Sequence, residues 1–310
     1  MFGKRKSHSE VGFVVNWKFH ENDGWVSSFS PNFVNAFVEK FRPVIVTSQL
    51  DYWIHASQLK VIVSMEAGWA APRIRFNKNK QHEVFMLVSD PHKKVDWLES
   101  YVDRNNIDVI LSQYFNPFFY HFPDFKVERF RHFPWAVPDR YLNRKKELLI
   151  TDDSVVAFGG SGGDAYDVRN WCKAQKGIIS SENSGVENKV FSESGYFEWL
   201  SSLNAVVAAG SSNPIYDLVT PKYFEVCGAG ALLIGQRCKD LGLLGFDDSN
   251  AVLFDKHDFN AHVSSYKKEP CAFLERRKKG RSLIAERHLI SNRIKELEEL
   301  FQQCGVSACP

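Results

Sequence analysis

The amino-acid sequence predicts an α/β protein built from two doubly wound parallel sheets. Short apolar runs recur along the chain, each separated from the next by a segment long enough for a crossover helix, as parallel βαβ units require. The series is interrupted by the turn FPWAVP (133–138) and the charged stretch RYLNRKKE (140–147), and then resumes. A length of 310 residues suits two ordinary domains, and 44% apolar with 14% aromatic residues supplies a core for each. The bounds read this way are 1–143, 144–280 and a closing helical segment 281–310.

In the first half, Val11–Asn16 (VGFVVN) is the opening buried strand. A polar link, WKFHENDGWVSSFS, leads to Ser30-Pro31, an N-cap and N1 proline for a helix to about Lys40. Pro43–Thr47, Gln58–Ser64 and Glu83–Ser89 are the next strands, followed by a helix from Val95 to about Arg104. Ile107–Ser112 and Val127–Phe133 complete the set. Ligands of such sheets sit beyond the carboxyl ends of the strands. The tails there are Asn16–His20, Glu66–Trp69, Ser89–His92 and Tyr114–His121, all expected to face one crevice. They are polar and aromatic, and aromatic faces stack on the C–H face of a pyranose. Glu66, Asp90, His92 and His121 are the candidate acids and bases.

In the second half, Ser154–Phe158 is a strand, the loop GGSGGDAYD follows, and a helix runs from Val168 to Gln175. Gly160, Gly162 and Ala165 fit a relaxed G-x-G-x-x-A pattern, whose backbone amides face a pyrophosphate. GIIS is a weak strand, Glu193–Leu203 an amphipathic helix and Asn204–Ala209 a strand. The loop SSNPIYDLV offers Asn213 and Tyr216 toward a base or sugar. TPKYFEVCGAGALLIG (220–235) reads as a helix start carrying Lys222, Tyr223 and Glu225, a small-residue close, and an apolar strand. A helix N-terminus with a lysine in its first turn suits phosphate, and a carboxylate one turn on can accept hydrogen bonds from paired ribose hydroxyls. AVLFD (251–255) is the last strand. A helix opens at His257–Phe259, and Ala272 to about Phe301 reads as one long charged helix containing the basic run RRKKGR (276–281).

The totals narrow the function. A net charge of +2 gives no global field for nucleic acid. The six cysteines show neither C-x-x-C nor Cys/His metal spacing, as expected of reduced thiols in the cytoplasm. The basic start MFGKRKSHSE has no apolar stretch behind it, and no run approaches a membrane span. No Asp-x-Asp metal motif is present, so no essential metal is expected. The basic run 276–281 is read as solvating a helix joint, with peripheral contact to an anionic lipid head group as the alternative.

The segment 220–235 followed by AVLFD resembles the carboxyl-terminal half of GT-B glycosyltransferases, of the glycosyltransferase group 1 superfamily and its spore-maturation-protein-like branch. SDPH (89–92) and FPWAVP resemble turns of the same family, and His288 with Arg293 resembles a motif of its final helix. The resemblance implies two Rossmann-like domains facing a central cleft. The first would be acceptor-side and the second donor-side, with a C-terminal helix crossing back to the first. It implies metal-independent transfer of a sugar from a nucleotide-diphosphate donor, UDP- or GDP-linked, to a glycan, lipid-linked or protein acceptor. Glu225 matches the ribose-binding position, Tyr166 and Arg169 match the residues after the small-residue loop, and Gly160, Ser161 and Gly162 would line the donor phosphates. Arg169 and Lys222 would offset the leaving charge. Many retaining members carry a second Glu eight positions on; here Leu233 stands there, which leaves the stereochemical outcome open. Two other enzyme classes fit parts of the pattern: a sugar-nucleotide epimerase of the same fold, and an NAD(P)-dependent oxidoreductase using the Gly160 loop with Glu182 as its acidic residue. A non-catalytic nucleotide-sensing module would not need the polar and aromatic tails of the first half.

Overall fold

A computed structural model describes residues 9–21, 27–79, 81–142 and 148–306. The basic start, part of the polar link (22–26), the end of the charged stretch (143–147) and Cys309 lie outside the described residues. The chain divides into two compact units. Among the described residues, the first unit holds 9–21, Ser30–Pro134 and 291–306; the second holds 27–29 and Trp135–Ile290. The chain therefore passes from one unit to the other at Pro134–Trp135, inside FPWAVP, and back at Ile290–Ser291.

The first unit is a parallel sheet of β1 (Val11–Val14), β2 (Val44–Val46), β3 (Val61–Ser64), β4 (Glu83–Val88), β5 (Val109–Ser112) and β6 (Phe130–His132). Their order is β2-β1-β3-β4-β5-β6. The strands are short and almost continuously buried, as expected where helices cover both faces. The connections reverse direction between β1 and β3, whose ends are level at Val14↔Ser64. The tails of β1 and β3 thus flank a topological switch point. Three helices of this unit were not expected, the first being Trp17–Glu21 in the tail Asn16–His20. Gln49–His55 is capped by Ser48, whose side chain accepts from the Asp51 amide. Asn116–His121 starts with Pro117, pre-set for a first turn, so the expected tail Tyr114–His121 is helical.

The closing helix also differs from expectation. Ala272–Phe301 is not continuous: one helix is Leu274–Arg287 and another Ile290–Gln303. The break at His288–Leu289 has a cause. The Val137 amide donates to the His288 carbonyl (2.8 Å) and the Ile290 amide to the Val137 carbonyl (3.0 Å), which takes these groups out of helical pairing. His288 is therefore a buried joint before the final helix, its Nε2 2.7 Å from the Leu244 carbonyl. The final helix packs in the first unit. Its Phe301 meets Phe41 at 4.9 Å and Phe85 at 6.1 Å between centroids, and Lys40 pairs with Glu298 at 2.8 Å. The run 276–281 lies within a helix, and its Arg277 is buried, donating to the Gly230 carbonyl at 2.8 Å.

The second unit is a parallel sheet of β7 (Val155–Ala157), β8 (Ile178–Ser180), β9 (Ala205–Ala208), β10 (Leu232–Gln236) and β11 (Val252–Phe254), in the order β11-β10-β9-β7-β8. Its core joins these strands to Val168, Phe259, Val263 and Tyr266. Here the direction reverses between β7 and β9, which pair through Val156↔Val206. The loops after β7 and β9 are the ones a ligand of this sheet would meet.

Candidate active site

The loop after β7 is Phe158–Gly163. Gly159 adopts φ +105 and Gly163 φ +73, conformations that side-chain-bearing residues rarely adopt. Space is the second reason for glycine at 159. A Cβ there would stand 2.6 Å from Lys222 Nζ and 3.1 Å from Arg169 Nη1. A Cβ at Gly162 would meet no described atom within 4 Å.

Three cations converge behind this loop. Lys222 sits in the first turn of the Pro221–Ala229 helix, where Pro221 sets the start and Gly230, at φ +81, ends it. The Lys222 ammonium is buried, donates to the Phe158 carbonyl (2.5 Å) and lies 3.5 Å from the centroid of the Phe158 ring. Arg169, on the Asp167–Lys173 helix, is also buried. It donates from Nε to the Ala209 carbonyl (2.9 Å) and from Nη1 to the Gly160 carbonyl (3.1 Å), and stacks on Tyr166 at 4.2 Å. One turn on, Lys173 donates to the Gly159 carbonyl (2.6 Å) and to Ser161 Oγ (2.9 Å). Arg169 thereby ties the β7 loop to the β9 loop across the switch point. Burial pushes all three below their ordinary pKa, and repulsion from Arg169 adds to this at Lys222 and Lys173. Glu187 and Glu225 act the other way on Lys222. Cations depressed by burial and by each other are stabilised by an arriving anion.

Glu225 lies one turn beyond Lys222, buried on the same helix. Its Oε1 accepts from Ser28 Oγ and its Oε2 from the Tyr196 hydroxyl, each at 3.1 Å. Burial raises its pKa, opposed by Ser28, Tyr196 and Lys222. The Ser28 amide adds to this hold on the carboxylate. Tyr223 points elsewhere: its hydroxyl donates to the Gln236 carbonyl (2.8 Å), and it packs where a Cβ on Gly235 would be 2.9 Å away. Asn213 caps the Pro214–Tyr216 turn, its side chain accepting from the Ile215 amide (3.1 Å), and half-buried Tyr216 closes that turn.

The sequence reading missed Lys173, Ser28, Tyr196 and Gln236. Lys173 had a signal, since it stands four residues after Arg169 on one helix face. Gln236 holds the β9 loop, accepting from the Gly210 amide (2.9 Å) and donating to the Ser211 carbonyl (2.8 Å). Ser28 and Tyr196 lie 197 and 29 positions from Glu225, and only the fold brings them there.

In the first unit, Glu66 follows β3 and is well engaged. It pairs with the buried Lys94 at 3.0 Å and accepts from the Ser89 amide (3.0 Å) and hydroxyl (2.7 Å), clamping the β3 and β4 tails together. Asp90 takes φ +43 and pairs with Lys93 at 2.8 Å. The His92 and His121 rings are neighbours with centroids 6.3 Å apart, and burial lowers the pKa of His92. The fold therefore brings Glu66, Ser89 and Lys94 together, and His92 with His121. Among the described residues no three His, Cys, Asp or Glu side chains are grouped as a metal site needs, and no helix is long and apolar enough to cross a membrane.

Comparison with known proteins agrees with this architecture. Residues 146–299 match a family described as "Glycosyl transferase-like". No curated protein sequence matches. Among solved structures, Anabaena Alr3699/HepE in complex with UDP and glucose is similar over 96% of this chain and 100% of its own, at TM-score 0.59 and 7% identity. An alpha-glucosyltransferase in complex with UDP and a 13-mer DNA is similar over 94% and 98%, at TM-score 0.58 and 11% identity. Sucrose-phosphate synthase (tll1590) from Thermosynechococcus elongatus is similar over 81% and 75%, at TM-score 0.52 and 12% identity. The chain has the GT-B fold, and its similarity to the glycosyl transferase-like family covers residues 146–299.

Proposed function

We propose that the protein is a glycosyltransferase that moves a sugar from a UDP- or GDP-linked donor to an acceptor. The observation that carries this reading is the convergence of Lys222, Arg169 and Lys173 on the Gly159–Gly163 loop at the β7/β9 switch point. In this reading the diphosphate lies against the loop amides and the helix N-terminus. Lys222 and Arg169 face the oxygen that leaves when its bond to the anomeric carbon breaks, and they offset its growing charge without a metal. Lys173 steadies the loop through Gly159 and Ser161. Glu225, held by Ser28 and Tyr196, accepts from the ribose. Gly160, Ser161, Gly162, Tyr166, Asn213 and Tyr216 are donor-side residues of the same proposal, and Tyr223 supports the site from behind through the Gln236 carbonyl.

Acceptor-side chemistry belongs to Glu66, Asp90, His92 and His121 in the first unit. Of these, His92 suits proton removal best, because burial favours its neutral form. Glu66, with an ion pair and two hydrogen bonds, suits orienting the tails. The acceptor is a glycan, a lipid-linked sugar or a protein. The buried thiols of Cys172 and Cys227 suit a reducing compartment such as the cytoplasm. The number of cations at the loop and the match over residues 146–299 support sugar transfer over a nicotinamide oxidoreductase or a donor epimerase.

The test is to incubate the full chain with UDP- and GDP-sugars and extracts of glycans and lipids, with and without a chelator. Nucleoside diphosphate release and the mass of the product are read together. Release matched by a glycosylated product, unaffected by the chelator, is the expected result. Interconversion of the donor without diphosphate release would overturn it.

A further inference from the structure

We propose that the helix Gln49–His55, with the basic segment beside it, docks the first unit onto an anionic membrane surface. The helix carries Leu50, Trp53 and Ile54 at i, i+3 and i+4, so the three share one face. That face points outward, with Leu50 62% exposed, Trp53 60% and Ile54 62%, while Tyr52 on the other side is fully buried. A short helix whose apolar face looks into water, with its single tyrosine anchored in the core, is the reverse of what burial alone would select.

A strip of cations is fixed next to it. Residues 73–78 read RIRFNK, with Ile74 and Phe76 buried and Arg73, Arg75 and Lys78 exposed. Four contacts lock the strip to the helix. Gln49 donates to the Arg75 carbonyl (3.0 Å) and accepts from the Arg75 amide (2.8 Å). The Tyr52 hydroxyl accepts from the Asn77 amide (2.8 Å), and the Tyr52 ring meets Phe76 edge-on at 5.1 Å. The helix's one carboxylate, Asp51, is engaged by the Thr47 amide (3.0 Å) and hydroxyl (2.7 Å) at the helix start. The patch thus offers an apolar ridge with a tryptophan and three flanking cations.

This combination matches a lipid surface in both charge and size. Leucine, isoleucine and tryptophan enter the headgroup and acyl boundary, while cations meet anionic headgroups. Three side chains fall well short of the roughly 800 Å² per partner that a stable protein interface buries. They suffice to anchor a surface helix when charge assists.

The experiment is co-sedimentation of the full chain with phosphatidylglycerol/phosphatidylcholine vesicles and with phosphatidylcholine alone. Binding to the anionic vesicles only, weakened by 0.5 M salt, is expected. An exposed cation at such a surface contributes about fivefold in partition, so R75E/K78E weakens binding at least about 25-fold. L50S/W53S/I54S abolishes it while leaving thermal unfolding and nucleotide binding intact, because these side chains are exposed. The proposal is overturned by absence of binding to anionic vesicles, or by binding that survives L50S/W53S/I54S. It is also overturned by light scattering that shows a dimer which that variant converts to monomer, since the face is then a protein interface. R276E/K279E on the Leu274–Arg287 helix keeps vesicle binding if the assignment is right; loss in that variant alone moves the contact there.

Discussion

Replacing Gly159 with alanine tests whether the geometry of the β7 loop holds the cation cluster. The alanine methyl would stand 2.6 Å from Lys222 Nζ and 3.1 Å from Arg169 Nη1, inside van der Waals contact for both. The backbone sits at φ +105, where an L-residue is strained by about 1–3 kcal/mol. Both effects act together: the loop relaxes toward negative φ and the lysine swings away. Losing one charge-assisted contact to a phosphate costs about 1.5–3 kcal/mol, which is roughly 10- to 100-fold in affinity. Gly242→Ala is the matched control, because it lies outside the loop, its new methyl meets no described atom within 4 Å and its φ is not positive. Isothermal titration with UDP and GDP, alongside thermal unfolding, reads both consequences. G159A is expected to lose at least about tenfold in affinity and to unfold earlier, by about 2–4 °C for each kcal/mol. G242A keeps the wild-type values. Equal affinity in G159A and wild type, or equal loss in both variants, would refute the reasoning.

Four further outcomes follow from the same contacts. Lys222→Met removes a buried ammonium whose folded pKa lies below the ordinary 10.5. The unfolded chain then holds more protons than the folded one, so wild-type stability rises with pH through the interval between those two values. K222M loses this pH dependence in denaturant titrations and binds UDP at least about tenfold more weakly, while its ligand-free stability at neutral pH is no lower. Glu225→Gln removes an ionisation that burial disfavours. Its stability at neutral pH holds or rises, whereas nucleoside diphosphate affinity falls more than that of the deoxyribose analogue. Glu66→Gln leaves the buried Lys94 without its counter-charge, and chemical denaturation is expected to show about 3–5 kcal/mol lost whatever the effect on turnover. Gly280→Ala places a methyl 2.7 Å from the Asn250 carbonyl oxygen and 3.2 Å from Cys227 Sγ. It destabilises by about 1–3 kcal/mol in thermal melts, although alanine is the better helix former.

Much of the fold is legible in the sequence because parallel strands are buried on both faces. Their apolar runs, VGFVV and ALLIG among them, need no partner to be recognised. The Pro221 start and Gly230 end of the central helix are equally local signals. The Gln49–His55 helix escaped because its apolar residues face outward, so its pattern does not mark a core. The break at His288 escaped because neither glycine nor proline marks it; a bridge to Val137, far away in sequence, makes it. The site divides along the same line. Lys222 and Glu225 announce themselves by residue type and spacing and Arg169 by the resemblance, whereas the glycine pattern marks Gly160 and Gly162 and not the positive-φ Gly159 and Gly163. The contacts that hold these side chains, from the Phe158 and Ala209 carbonyls, Ser28 and Tyr196, join segments far apart in the chain and exist only in the folded unit.

The most direct test of the central claim is a titration of the full chain with UDP, GDP and NADH, repeated with K222M. The donor-site account predicts saturable binding of a nucleoside diphosphate, lost in K222M, and none of NADH. Binding of NADH alone, or diphosphate binding that K222M retains in full, would contradict it.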